Sequence, residues 1–184
     1  MSVGGINTEK ESFLSHDTLL NTLDYDTTTG IFTNKYTRGR AKQGSISGCI
    51  SKGKGYLSIM VNKYSYYAHR LAWFYVYKVW PEGFLDHING NKLDNSISNL
   101  RECTQSQNMH NVAPRINKVG FRGVSSVRGL FQARITIDGV RKSLGYFKTA
   151  EEASSAYESK AKECFGEFYK TEHNEVEEVV LNEL

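Results

Sequence analysis

Apolar residues in this chain recur in some stretches at helical spacing and in others in alternation, and the switches between the two mark out short elements. Leu19, Leu20 and Leu23, behind capping candidates that begin at Ser15, predict a helix over 15–23. A turn cluster at 24–30 follows, then glycine-punctuated strands at 31–33, 45–51 and 55–61. Asn62-Lys63 reads as a hairpin turn into Tyr64–Tyr67, after which Ala68, Leu71, Ala72, Tyr75, Val76 and Val79 fit one helical face ended by Pro81. The tyrosines and Trp73 of that segment read as core. Phe84, Leu85 and Ile88 predict a short strand, Asn89-Gly90 a tight reversal, and Leu100–Cys103 an antiparallel return. Thr104 then caps a helix with Asn108 one turn in.

The C-terminal half repeats this logic on a larger scale. Strands are predicted at 121–127, Leu130–Ile137 and Val140–Phe147, with Asp138-Gly139 as the turn between the last two. Thr149 followed by Glu152 forms a capping box for a helix to about Phe165, with Ala153, Ala156, Tyr157, Ala161 and Cys164 on one face. In the central strand Phe131, Ala133, Ile135 and Ile137 point toward that helix, which leaves Gln132, Arg134 and Thr136 on an open, polar and basic face. The expected architecture is α+β: a small N-terminal β region with a ββα core, then a three-stranded antiparallel sheet packed on one helix. The corresponding division is 1–112 with its core at about 84–112, a linker at 113–119, a second domain at 120–170 and an acidic tail at 171–184, an amphipathic helix packing back or a disordered segment.

Composition narrows the class. Two prolines and 16 glycines in 184 residues argue against disorder, and no apolar run approaches the ~20 residues that span a bilayer. The start, MSVGGINTEK, lacks an apolar signal core. Cys49, Cys103 and Cys164 are far apart with no Cys-x-x-Cys pair, so they read as reduced thiols in a cytoplasm rather than as a zinc knuckle or a disulfide framework. The net charge of +3 conceals a partition. Seven basic and no acidic residues lie at 30–63, eight basic residues against Asp138 alone at 113–148, and five glutamates without a basic residue in the last fourteen positions. Without that tail, 23 basic residues face 15 acidic ones, a balance of +8. Two basic zones flanking residues 84–112 are the distribution expected if double-stranded DNA lies across them. No membrane and no protein partner is implied.

Asp86 and His87 are the candidate chemistry. The Asp86 carboxylate and the Asn108 amide oxygen form a donor set for a hard divalent cation, magnesium first and manganese as an option. His87 has an unperturbed pKa near neutrality and can take a proton from an attacking water. An Asn99 amide accepting from one ring nitrogen would leave the other as the base. Asp94 and Asn95 read as loop residues that satisfy backbone groups.

Asp86-His87, Asn99 twelve places after the histidine and Asn108 nine further on resemble the HNH homing endonucleases with their ββα-metal fold, in the branch whose third signature residue is Asn. The likeness runs through Leu93-Asp94-Asn95, Asn99-Leu100-Arg101 and Gln107-Asn108-Met109, and back to His69-Arg70-Leu71-Ala72-Trp73. It implies His87 as general base, Asp86 and Asn108 as metal ligands, Asn99 as the orienting residue, products with a 5′ phosphate and a 3′ hydroxyl, and a mobile element of a phage or bacterial cell. Asn in place of a third His leaves His110 as a competing ligand; on a helix the two positions point about 200° apart, so only one can serve, and Asn108 is the choice. His69 is expected beside the site, as a phosphate contact or through a packing hydrogen bond.

Residues 120–170 resemble the Apetala/ethylene-response-factor DNA-binding domain through Arg122-Gly123-Val124, Phe131-Gln132-Ala133-Arg134-Ile135, Leu144-Gly145-Tyr146-Phe147 and Thr149-Ala150-Glu151-Glu152-Ala153. That likeness implies a sheet lying in the major groove, with Arg122, Arg128, Gln132, Arg134, Arg141 and Ser143 toward DNA. Arg128 and Ser143 replace two tryptophans of the plant members, so the plant target sequence does not transfer. Arg115 and Lys118 of the linker would track a phosphate backbone. The leading expectation is a metal-dependent DNA endonuclease guided by this second domain. The alternatives are a sequence-specific DNA-binding regulator with an inactive nuclease half, and a structural or interaction protein.

Overall fold

The computed structural model describes residues 8–110 and 117–169. The chain divides into two compact units, Met1–Thr104 and Gln105–Leu184. The division falls ahead of the 112/113 boundary expected from sequence, so the helix that carries Asn108 opens the second unit. Most of the expected linker, and the acidic tail, lie outside the described residues.

In the first unit, α1 (Thr8–Glu11) and α2 (His16–Thr22) precede β1 (Leu23–Tyr25), which pairs antiparallel with β2 (Phe32–Asn34). Ser15 caps α2 by accepting from the Thr18 amide at 3.2 Å, a bond whose loss typically costs ~1 kcal/mol. β3 (Cys49–Ile50), β4 (Leu57–Val61) and β5 (Tyr64–Tyr67) form an antiparallel sheet in that order. Less of 45–51 is strand than the alternation predicts. Gly44 and Gly48 turn the backbone to φ 75° and 118°, and Ile46 makes only a single bridge, to Thr33. Asn62 and Lys63, at φ 47° and 70°, make the predicted two-residue turn.

α3 (Ala68–Tyr77) buries Ala68, Leu71, Ala72 and Phe74 in a core with Leu19, Leu23, Phe32, Ile59 and Val61. Lys78 ends it in the left-handed region, its amide bonded to the Phe74 carbonyl at 3.0 Å. Val79 therefore lies outside the helix and exposed, and Pro81 stands beyond the helix instead of stopping it. The helix also buries Arg70. Its guanidinium pairs with Glu11 through two nitrogens and donates to the carbonyls of Pro81 and Gly83 at 3.0 Å each, tying α1 and α3 to the chain that enters β6 (Phe84–His87). β6 pairs antiparallel with β7 (Leu100–Cys103), setting Asp86 opposite Arg101 and His87 opposite Leu100.

The second unit begins with α4 (Gln105–His110). β8 (Val124–Val127), β9 (Leu130–Ile137) and β10 (Val140–Phe147) form an antiparallel sheet with β9 central. Both hairpins turn on a residue and a glycine at positive φ, Arg128-Gly129 and Asp138-Gly139. β8 is shorter than predicted because the Asn117 amide donates to the carbonyls of Phe121 and Val124, at 2.6 and 2.7 Å, and holds the start of that segment as a loop. α5 (Ala150–Phe165) starts in the predicted Thr149–Glu152 capping box. Ala133 and Ile135 of β9 pack with Val124, Ala153, Tyr157, Ala161 and Phe165, the facing that alternation predicts. A register shift between Ser143 and Gly145 lets Leu144 join the same core.

The whole is an α+β arrangement of small antiparallel sheets and helices. All three cysteines are thiols. Among the described residues no helix is long and apolar enough to cross a membrane.

Candidate functional site

Asp86 and His87 are both 4% exposed at the end of β6, where their strand is paired along its length with β7. Arg101, directly across the ladder, donates through Nε to Asp86 Oδ2 at 3.0 Å. The buried carboxylate therefore already has a cation beside it.

The connection from His87 to Leu100 is not the tight reversal predicted at Asn89-Gly90. It is a loop held by its own amides, with a short 3-10 turn at Ile97–Asn99. The Gly90 amide bonds the His87 carbonyl at 2.8 Å, and Asn89 Nδ2 donates to Asp94 Oδ2 at 2.7 Å. Asp94 Oδ1 accepts from the Ser96 hydroxyl and amide, and that pair of bonds, the hydroxyl first, holds its carboxyl below the usual carboxylate range.

Asn99 was expected to hold the His87 ring, and it does not. Its oxygen accepts from the Asn89 amide at 2.9 Å, and its nitrogen donates to Asn89 Oδ1 and the Asp94 carbonyl at 3.0 and 2.9 Å. A side-chain amide has two N–H donors, so Asn99 is spent on the loop. The amide on the ring is that of Asn95, whose Oδ1 lies 3.3 Å from His87 Nε2. Sequence reasoning missed it because Asp-Asn before a helical turn has the signature of loop chemistry. The available signal was the long spacing to Leu100, which requires a braced loop with a buried anchor.

Aromatic rings enclose the imidazole. Tyr56 stacks on His87 at 6.0 Å between centroids, and His69 meets it edge-on at 5.2 Å. Tyr56, another residue the sequence did not single out, has its hydroxyl pKa raised by burial and then by the Asp86 charge. His69 was expected as a phosphate contact or a packing hydrogen bond. It is 7% exposed, stacked on Tyr67 at 5.5 Å, and its buried Nδ1 has no hydrogen-bond partner. It packs edge-on against His87 with little surface left open.

Burial pushes the His69 pKa well below the ordinary value, with the His87 and Arg70 charges adding to the effect. Burial also lowers that of His87, against the opposing Asn95 bond and Asp86 charge. Both rings are therefore neutral at pH 7. Their stability contribution is present above the unfolded value of about 6.5 and is lost as pH falls below it, because the unfolded chain takes up protons that the folded one refuses. Each such group steepens the loss by up to roughly 1.4 kcal/mol per pH unit. The urea midpoint should therefore drop between about pH 7.5 and about pH 5.5, and His69→Phe should flatten that drop; an unchanged pH response in the variant would refute the assignment.

A cation site was expected on Asp86 and Asn108. Asn108 is half-buried on α4 in the second unit, and the side chain of His110 lies outside the described residues. Among the described residues no cluster of three or more His, Cys, Asp or Glu could enclose a metal. Asp86, one of whose oxygens accepts from Arg101, is a single carboxylate of the kind that binds a hard cation keeping most of its shell for water and substrate phosphate, as magnesium does.

The expected DNA-binding residues of the second unit separate into groups. Arg122, Arg134 and Arg141 line one hollow of about 400 Å³, together with Thr136 and Tyr157. Arg128 stands at the exposed β8–β9 turn, Ser143 is exposed on β10, and Lys118 is exposed ahead of β8. Gln132 is 7% exposed where an open face was expected. Arg134 Nε donates to its Oε1 at 2.8 Å and its Nε2 donates to Ser143 Oγ at 3.1 Å, so on the face away from the helix it is covered by these two side chains and braces the arginine. Arg115 lies outside the described residues. In the first unit a groove of about 760 Å³ gathers Arg38, Arg40 and Lys63 around exposed Ile46 and Met60.

Comparison with known proteins bears on the first unit above all. Residues 66–110 match the family model described as HNH endonuclease, a stretch that takes in the end of β5, α3, the β6–β7 hairpin and α4. The chain is also similar to an uncharacterized HNH endonuclease of Acanthamoeba polyphaga mimivirus, 36% identical over 91 residues. That match takes in 50% of this chain and 48% of the viral protein, so the chain spans about half the length of the relative. No solved structure matches.

Proposed function

We propose that this HNH domain makes the protein a metal-dependent DNA endonuclease, of the homing type carried by phages, which the C-terminal sheet guides to its duplex. The observation that carries the reading is the buried, neutral His87 beside the Asp86 carboxylate inside the family match. In this reading His87 takes a proton from water, the water oxygen bonds to the scissile phosphorus, and the bond from phosphorus to the 3′ oxygen breaks. The departing 3′ oxygen takes a proton from solvent, so that a 5′ phosphate and a 3′ hydroxyl result. Asp86 would hold the divalent cation. Such a cation, when bound, supplies charge stabilisation for the phosphate and the departing oxygen. The test is conversion of supercoiled plasmid to nicked or linear product with magnesium or manganese, abolished by chelation. Binding without any product under either metal would refute the nuclease.

Arg122, Arg134 and Arg141 hold phosphates of the duplex in this reading, and what supports it is their convergence on one hollow with no acidic residue in its wall. Each phosphate contact contributes a slope of roughly −0.9 to the logarithm of affinity against that of salt. Arg141→Ala should weaken binding and reduce that slope by about one contact; an unchanged slope would place Arg141 off the DNA.

The second reading, a sequence-specific regulator with an inactive nuclease half, draws on the Asp86–Arg101 ion pair, which occupies one oxygen of the expected metal ligand. It predicts tight duplex binding that magnesium does not convert into cleavage.

A further inference from the structure

We infer that Asn95 is the positioning residue of His87, and that it selects the ring form in which Nε2 carries the hydrogen and Nδ1 the basic lone pair. Where this bears on rate it rests on the nuclease reading; where it bears on the ring it does not.

The direction of the bond follows from the rest of the amide. Asn95 Nδ2 lies 3.1 Å from the Leu93 carbonyl, which can only accept, so the nitrogen belongs there and the oxygen belongs on the imidazole. An amide oxygen can only accept in turn, so His87 Nε2 must be the protonated nitrogen. The reverse orientation would set two oxygens against each other at Leu93. Asn95 is 1% exposed, so its contact with the ring is shielded from bulk solvent.

The backbone that carries the Asn95 side chain is also fixed from behind. The Tyr25 hydroxyl donates to the Asn95 carbonyl at 2.7 Å, and the Ile97 amide donates to the Thr27 carbonyl at 3.1 Å. Gly30, at φ +72°, lies so flat on the Asn95–Ser96 peptide that a Cβ there would come within 2.3 Å of its backbone. The β1–β2 hairpin is thus the anvil against which Asn95 meets the base. This gives the N-terminal hairpin a function in the reaction that its distance in sequence conceals. Asn99, with both its N–H groups and its oxygen spent on the loop, has no such direction.

The inference is tested on the wild-type protein first, by nitrogen NMR of ring-labelled histidine. His87 is expected in the Nε2–H form, coupled through space to Asn95; an Nδ1–H form overturns the inference whether or not the protein cleaves DNA. The second arm is a double-variant cycle on plasmid nicking. Asn95→Leu should lower kcat by about 10- to 100-fold with little change in KM, the loss expected when an orienting outer partner is removed. In a His87→Ala background the same change should lower kcat no further, because Asn95 acts only through that ring. An equal loss in both backgrounds would make Asn95 merely structural and overturn the inference. A wild type with the expected ring form but no nicking under any metal would leave the positioning in place and remove the nuclease reading alone.

Discussion

His87→Ala is expected to reduce magnesium-dependent nicking by about 10²- to 10⁴-fold, the contribution of a positioned general base, while leaving duplex affinity essentially unchanged. The two halves of the expectation have different origins. His87 is buried at the end of β6 against Tyr56 and His69 and is no part of the lining of the arginine hollow, so in the proposed reading its loss removes a proton acceptor without removing a phosphate contact. The neutral ring that burial enforces is already the competent form at pH 7. Alanine also leaves a cavity between two rings, and truncating a buried aromatic can cost several kcal/mol. The variant is therefore to be assayed well below its melting temperature, with His87→Gln beside it as a fuller side chain that cannot act as a base. Wild-type rates in both variants would refute the base assignment. Loss of cleavage together with loss of binding would indicate unfolding.

What the sequence made legible was periodic or local. The helical face Ala68, Leu71, Ala72 and the alternation of Phe131 to Ile137 each carry their own signal, and the structure buries them as expected. So do the capping box at Thr149 and the turns at Asn62 and Asp138, where the residue types impose the backbone angles. Asp86-His87 stood out in the sequence as candidate chemistry because few structural tasks bring a carboxylate and an imidazole together on a short apolar strand. The illegible part was partner choice among similar groups. Four asparagines lie between His87 and Leu100, and nothing in their order says which amide points inward; packing against Tyr25 and Gly30 decides it for Asn95. Gln132 follows the same rule in reverse. Alternation placed it on the open face correctly, but it could not show that Arg134 and Ser143 would roof it over.

Glu11→Ala is expected to be the most destabilising single change in the first unit. Glu11 and Arg70 meet with side-chain exposures of 9% and 6%, in a geometry where two nitrogens face two carboxylate oxygens. Breaking a buried pair from one side costs ~3–5 kcal/mol, since the remaining charge keeps its desolvation penalty without its partner. For a unit of about 100 residues each kcal/mol lowers the melting temperature by roughly 4–8 °C, so a shift of well over ten degrees is the expected readout, and a shift of one or two would refute the account. The Lys160–Glu163 pair on α5 is the internal control. It is an exposed pair one helical turn apart, of the kind that contributes little, and Glu163→Ala should leave the melting curve where it was. Arg70→Lys separates charge from shape, because a lysine keeps the ion pair but cannot also reach both the Pro81 and Gly83 carbonyls. Those two bonds set where β6 begins and hence where Asp86 and His87 end up. Arg70→Lys should accordingly lose more nicking activity than its melting temperature alone would predict, with duplex binding intact. Parallel losses of stability and activity would instead reduce Arg70 to a support of the core.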